Sequence, residues 1–268
     1  MSPWHAVLLG ILQGATEFLP VSSSGHLVLV PWALGWPDTS LLYDTMVHLA
    51  TCIAVVVYFW RDLVELVRGA WRGLTRKRRG PEDDLGWLLI LSAVPGAIIG
   101  FLLEDFFEAL FATPPYAAGF LLVTGVLLYV SDCLSRRERT MDSIRWPDAL
   151  WIGLAQAAAI APGLSRSGTT ISAGLFRGLD RESAARFAFL MSVPIILGAG
   201  ALQVLKALSA GSLQGASLEL GLGFVAATVS GLLAIGLLMR LVKKHSLKPF
   251  AYYCWAVGLA GLVLALVR

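Results

Sequence analysis

Charge is what this chain has least of. Only 15% of its 268 residues are Asp, Glu, Lys or Arg, against about 25% in soluble domains. That shortage, with 57% hydrophobic residues and a mean hydropathy of +0.72, excludes an ordinary soluble domain and points to an integral membrane protein. No long hydrophilic block interrupts the apolar segments, so a single membrane domain spanning 1–268 is expected. Cysteine is scarce too. Cys52, Cys133 and Cys254 lie far apart, odd in number and without metal-ligand spacing, which argues against a disulfide framework and reads as small buried hydrophobes. The chain lacks a Lys/Arg-rich start, and its first apolar run leads straight into Gln13 and Glu17, so a cleaved signal peptide is not expected. A nucleic-acid footprint is also missing: the net charge is +3, and the basic residues sit beside apolar runs rather than in one patch.

What is present is a series of apolar runs. Six are long enough to span a bilayer: about Leu42 to Trp60, Leu85 to Leu103, Tyr116 to Leu134, Phe187 to Leu208, Leu218 to Met239 and Phe250 to Val267. An amphipathic basic segment, about Arg61 to Arg79, follows the first, and Glu104, Asp105 and Glu108 read as a solvated outer loop. Two further apolar stretches are broken in the middle. Residues 3–34 are interrupted at Pro20 and the Ser22-Ser23-Ser24-Gly25 run, and 146–178 at Pro162-Gly163-Leu164-Ser165-Arg166-Ser167-Gly168-Thr169-Thr170. Proline ends a helix and serine caps the next one. Each half is shorter than the roughly 20 residues a span needs, so each stretch is expected to be a re-entrant helical hairpin. The fold expected is therefore all-α and polytopic, with six transmembrane helices and two re-entrant hairpins.

The two broken stretches match at a constant offset. Gly10, Gln13, Ser22, Ser24, Gly25 and Gly35 recur 143 positions later as Gly153, Gln156, Ser165, Ser167, Gly168 and Gly178. Each hairpin precedes three spans, an odd number, so 1–143 and 144–268 are expected to form an inverted-topology repeat whose hairpins meet near the midplane. With that arrangement, eighteen of the 21 Lys and Arg fall on one face, which is the cytoplasmic one by the positive-inside rule. Lys206 and Arg268 fall on the other face and Arg166 lies inside the second hairpin.

A carboxylate and a guanidinium at membrane depth are costly, and Glu17 and Arg166 read as functional, with a plain structural ion pair as the alternative. Gln13 and Glu17 share a helix face at i and i+4. The loops bring helix N-termini with free backbone donors, clustered hydroxyls and an arginine fork, a combination suited to phosphate. By that reasoning Ser22, Ser24, Gly25, Ser165, Ser167, Gly168, Thr169 and Thr170 are the candidate phosphate binders, although capping alone would also account for the serines and glycines. Asp44 and His48 read as helix–helix contacts, with catalysis the alternative.

Gln13 together with Glu17-Phe-Leu-Pro-Val-Ser-Ser-Ser-Gly-His26 resembles the first motif of the bacterial undecaprenyl-diphosphate phosphatase family, also known for bacitracin resistance. Pro162 to Thr170 resembles its second. The resemblance runs the length of the chain; at Gln13, where members carry Glu or Gln, this chain follows the Gln branch. It implies removal of the terminal phosphate from a C55 polyprenyl diphosphate at the outer face of the bacterial plasma membrane, assisted by a divalent cation, in recycling the lipid carrier for peptidoglycan synthesis. Its implied catalytic residues are Glu17, Ser23, His26 and Arg166. Ser23 is the preferred nucleophile with His26 or Glu17 as base, and His26 or an activated water is the competitor. Glu17 and Gln13 are the candidate ligands for Mg2+ or Ca2+. The expected partners are the lipid substrate and membrane lipids, not nucleic acid, with a homodimer left open. The alternative function is a lipid-phosphate flippase or anion transporter built on the same repeat.

Overall fold

The computed structural model describes residues 1–37, 39–75, 81–209 and 217–268. Twelve α-helices occur among them: α1 (Pro3–Phe18), α2 (Ser23–Leu34), α3 (Leu41–Tyr58), α4 (Trp60–Thr75), α5 (Pro81–Leu102), α6 (Glu104–Phe111), α7 (Pro114–Leu134), α8 (Trp146–Ala158), α9 (Arg166–Phe176), α10 (Arg181–Ser209), α11 (Ser217–Lys244) and α12 (Lys248–Val267). Among the described residues, six helices are long and apolar enough to cross a membrane: α3, α5, α7, α10, α11 and α12. These are the six runs expected from the sequence, and the protein is a multi-pass membrane protein. Val225, Val229, Leu233 and Leu237, one turn apart on α11, are all exposed, the stripe a helix presents to lipid rather than water.

Two expectations change. Glu104, Asp105 and Glu108 do not form a loop but lie on α6, where acidic residues in the first turn favour a helix N-terminus. The span expected from Phe187 begins at Arg181, because the charged first turn extends the same helix beyond its apolar part. Arg76, Lys77, Arg78 and Arg79, counted above on the basic face, lie outside the described residues.

The helices of the two broken stretches are gripped in matching ways. α1 packs along α11 and α8 along α5; α3 packs on α10 and α11, and α10 on α3 and α5. The matched glycines permit the closest of these approaches. A Cβ on Gly10 would strike the backbone of Gly223, and one on Gly153 the backbone of Ser92. The breaks are also locally alike. Ser22 and Ser165 are N-caps that each accept from the N–H three residues on, at Gly25 and Gly168, and Gly35 and Gly178 both take the left-handed conformation that ends a helix.

Ion pairs tie the basic helix ends together. Asp62 on α4 meets Arg186 on α10, Asp132 on α7 meets Arg181 at 2.6 Å, and Glu182 on α10 meets Lys243 on α11 at 3.0 Å. Beside them, Asp148 at the start of α8 is held by Arg139 at 2.7 Å and Arg177 at 2.6 Å, and accepts from the Arg145 N–H at 3.0 Å. Burial alone would raise this carboxyl; the Arg139 and Arg177 hydrogen bonds outweigh it and bring the pKa from 3.8 to about 2. A lowered pKa means that the folded state favours the charged form, so the contribution is complete above pH 3.8 and is lost as the pH falls through about 2. Asp148→Asn is therefore expected to cost about 2 kcal/mol at neutral pH. Thermal unfolding of the two proteins should converge as the pH is taken below 4.

Candidate active site

The two breaks meet. Gly25 approaches Gly163 so closely that a Cβ on it would lie 3.0 Å from the Gly163 Cα, and Ser167 Oγ donates to the Leu19 carbonyl at 3.3 Å. Both tips are held from outside. Thr124 of α7 donates to the Gly163 carbonyl at 2.9 Å and accepts from the Ser165 N–H at 3.0 Å, while Cys254 of α12 lies 3.7 Å from the Pro20 carbonyl oxygen. Ser22 has φ +69°, a left-handed backbone that costs a non-glycine residue about 1 kcal/mol or more. This turn directs Ser23 back toward α1.

Glu17 is the centre of the junction. It is buried and its two oxygens have different partners. Oε1 pairs with the Arg166 guanidinium from the other break. Oε2 accepts from the Ser23 hydroxyl and from Gln13 Nε2 at 2.8 Å. His48 of α3 places its Nε2 3.8 Å from Oε2. Its Nδ1, 2.7 Å from the Asp44 carbonyl, must donate there, which leaves Nε2 facing the carboxylate. A cavity of about 280 Å³ opens over this cluster. Glu17, Ser22, Ser23, Ser24, Ser165 and Arg166 form its polar end, and Ile160, Ile195 and Ile196 part of its apolar wall. A second cavity shares Ser24 and His48 with the first and extends to Thr39 and Pro114.

The remaining candidates stand outside the first cavity. His26 turns to the far side of α2, where its Nδ1 lies 2.7 Å from the Ser22 carbonyl and its Nε2 2.8 Å from the Tyr253 hydroxyl. A carbonyl only accepts, so Nδ1 carries the proton and Nε2 receives the one from Tyr253. The Thr170 hydroxyl donates back to the Arg166 carbonyl at 2.7 Å, Ser167 bridges to Leu19, and Gly25 and Gly168 serve the caps; Thr169 is buried nearby. Sequence reasoning placed His48 among helix contacts and saw Gln156, which also lines the cavity, only as the mate of Gln13. It missed Tyr253. Position i+4 from Asp44 was the sole signal for His48, and nothing in its own segment marked Tyr253.

Glu17 and Gln13 both bring oxygens to the junction, and the Gln13 side-chain oxygen has no hydrogen-bond partner there. Glu17 Oε1 has Arg166 as its partner and Oε2 has Ser23 and Gln13, and no group of three His, Cys, Asp or Glu stands together among the described residues.

Fold and site together define a helical membrane protein with a buried serine–carboxylate–arginine centre assembled from two separate breaks. The chain matches the family model described as Bacitracin resistance protein BacA over residues 6–260, and it belongs to that family. It is similar to the undecaprenyl-diphosphatase of Geobacter metallireducens, with 45% identity over 265 residues and 98% of each chain covered. The one from Desulforudis audaxviator is 44% identical over 269 residues, covering 100% of both. That of Rubrobacter xylanophilus is 47% identical over 267 residues, covering 98% of this chain and 97% of the relative.

Proposed function

We propose that this chain is an undecaprenyl-diphosphatase: a membrane phosphatase that converts undecaprenyl diphosphate to undecaprenyl phosphate and inorganic phosphate, recycling the lipid carrier for cell-wall synthesis and conferring bacitracin resistance. The observation that carries the chemistry is the Ser23 hydroxyl donating to Glu17 while Arg166 holds the other oxygen of the same carboxylate. Serine needs a neighbouring base to act as a nucleophile, and Glu17 occupies that position.

In this mechanism Ser23 Oγ attacks the terminal phosphorus as Glu17 takes its proton. The bond from that phosphorus to the bridging oxygen breaks, and its electron pair leaves with the lipid monophosphate. Arg166 and the N–H groups at the start of α2 and α9 hold the equatorial oxygens as charge builds on them. Glu17 passes that proton to the departing lipid phosphate; water then attacks the phosphoserine, Glu17 takes the water's proton and returns it to the serine oxygen as the bond from that oxygen to phosphorus breaks and inorganic phosphate is released. Ser23 is favoured over His26 as the nucleophile because both His26 nitrogens are engaged away from the cavity. A Mg2+ or Ca2+ ion would arrive on the diphosphate as part of the substrate.

The same reading takes α1–α2 and α8–α9 as re-entrant hairpins of an inverted repeat. The exchanged packing of α1 on α11 and α8 on α5 supports it. The active site then faces the extracytoplasmic side: the second cavity runs to Thr39 and Pro114, at the opposite ends of α3 and α7 from the basic residues. The test is phosphate release from undecaprenyl diphosphate by purified protein in detergent, where no second compartment exists. Steady turnover supports the phosphatase; lipid movement in vesicles with no phosphate released would make it a transporter instead.

A further inference from the structure

Gln13 and Gln156 hold matched positions in the two breaks but have different surroundings. Gln13 donates to Glu17, four residues on. Four residues on from Gln156 stands Ile160, so the second glutamine has no carboxylate to bind. Gln156 is 3% exposed, and neither its side-chain oxygen nor its nitrogen has a hydrogen-bond partner. It nevertheless lines the cavity that holds Glu17, Ser23 and Arg166. Buried amides are nearly always paired, and one left free beside a cavity is matched to something that enters it. Its position says which part. A Cβ on Gly96 would lie 3.6 Å from Gln156 Nε2 and 3.4 Å from Ile195 Cδ1. The amide therefore lies beside Ile195 of the apolar wall, where a lipid tail would begin.

We propose that Gln156 is a specificity-determining residue that binds the phosphate remaining on the lipid, so that the site reads a diphosphate rather than a single phosphate. A neutral amide suits this task. It gives directed hydrogen bonds to the lipid-side phosphate without the fixed charge that would hold the monophosphate product in place. This assignment rests on the phosphatase reading above, because it presumes a substrate with a second phosphate between the reacting one and the tail.

The test compares wild type with Gln156→Met, which keeps the volume and removes the hydrogen bonds. Farnesyl diphosphate serves as the short-chain substrate, and farnesyl phosphate and inorganic phosphate as separate products. Loss of hydrogen bonds to a charged group should raise the KM for farnesyl diphosphate about 10-fold or more. Inhibition by farnesyl phosphate should weaken by a similar factor, while inhibition by inorganic phosphate, held at the Ser23 end, should stay within about twofold of wild type. Gln156→Glu, which sets a carboxylate against the phosphate, should lose more than Gln156→Met. Equal weakening toward both products, or no change toward farnesyl diphosphate, overturns the assignment. Binding titrations, which need no turnover, separate the two readings. Wild type that binds farnesyl diphosphate but releases no phosphate overturns the phosphatase; Gln156→Met that binds it as tightly as wild type overturns the role of Gln156.

Discussion

Ser23→Ala is expected to lower phosphate release by about a thousandfold or more while leaving a folded protein. The variant removes the only nucleophile in the proposed mechanism and, structurally, a single hydroxyl donating to Glu17. Glu17 keeps Arg166 and Gln13, so the buried carboxylate is not left unpaired and the unfolding temperature should change little. His26→Ala provides the contrast. His26 links the Ser22 carbonyl to Tyr253, and its loss slackens the turn that presents Ser23, which should cost about 10- to 100-fold, the range for a nearby misplacement. If His26 were the nucleophile, the order of the two effects would reverse. Phosphate release by the two purified variants, with thermal unfolding measured alongside, decides between them.

Arg166→Ala should have an effect at least as large on rate and a second effect on stability. Arginine side chains that hold a transferring phosphoryl group contribute about 10³- to 10⁵-fold to kcat. The same side chain pairs with Glu17, which is 7% exposed. Removing one partner of a buried ion pair costs about 3–5 kcal/mol because the other charge is left behind. Arg166→Ala is therefore expected to lower the unfolding temperature as well as the activity. Arg166→Lys restores a charge for Glu17 but not the planar fork, so stability should recover further than turnover. The double variant Glu17→Gln/Arg166→Met removes both charges and should fold more stably than Arg166→Ala while remaining inactive. Near-normal turnover by Arg166→Ala would remove arginine from the mechanism.

Much of this was legible in the sequence because membranes make polar residues conspicuous. Six apolar runs gave six spans, with errors only at their ends: the span expected from Phe187 begins at Arg181, since a helix can carry charge once it leaves the apolar layer. Glu17 and Arg166 stood out because each interrupts apolar sequence at depth, and the structure places them in contact. The fixed offset also carried further than expected. It predicts the paired caps at Ser22 and Ser165, and it aligns Ser23 with Arg166, so that one repeat position supplies a hydroxyl from one break and a cation from the other. What was not legible came from helices distant in sequence. His48 reaches Glu17 from α3, and Tyr253 reaches His26 across 227 positions; neither contact leaves a local pattern. The division of the candidate binders was also hidden. Side-chain direction decides that Ser22, Ser24 and Ser165 line the cavity while Thr170 turns its hydroxyl back onto its own helix, and a motif does not state direction.

The most direct measurement is a rapid-quench reaction with undecaprenyl diphosphate labelled in its terminal phosphate, followed by mapping of any label on the protein. The account predicts transient label on Ser23 in an acid-stable phosphoester, absent from Ser23→Ala and prevented by Arg166→Ala. Acid-labile label on His26, or full turnover with no labelled protein at any time, would contradict it.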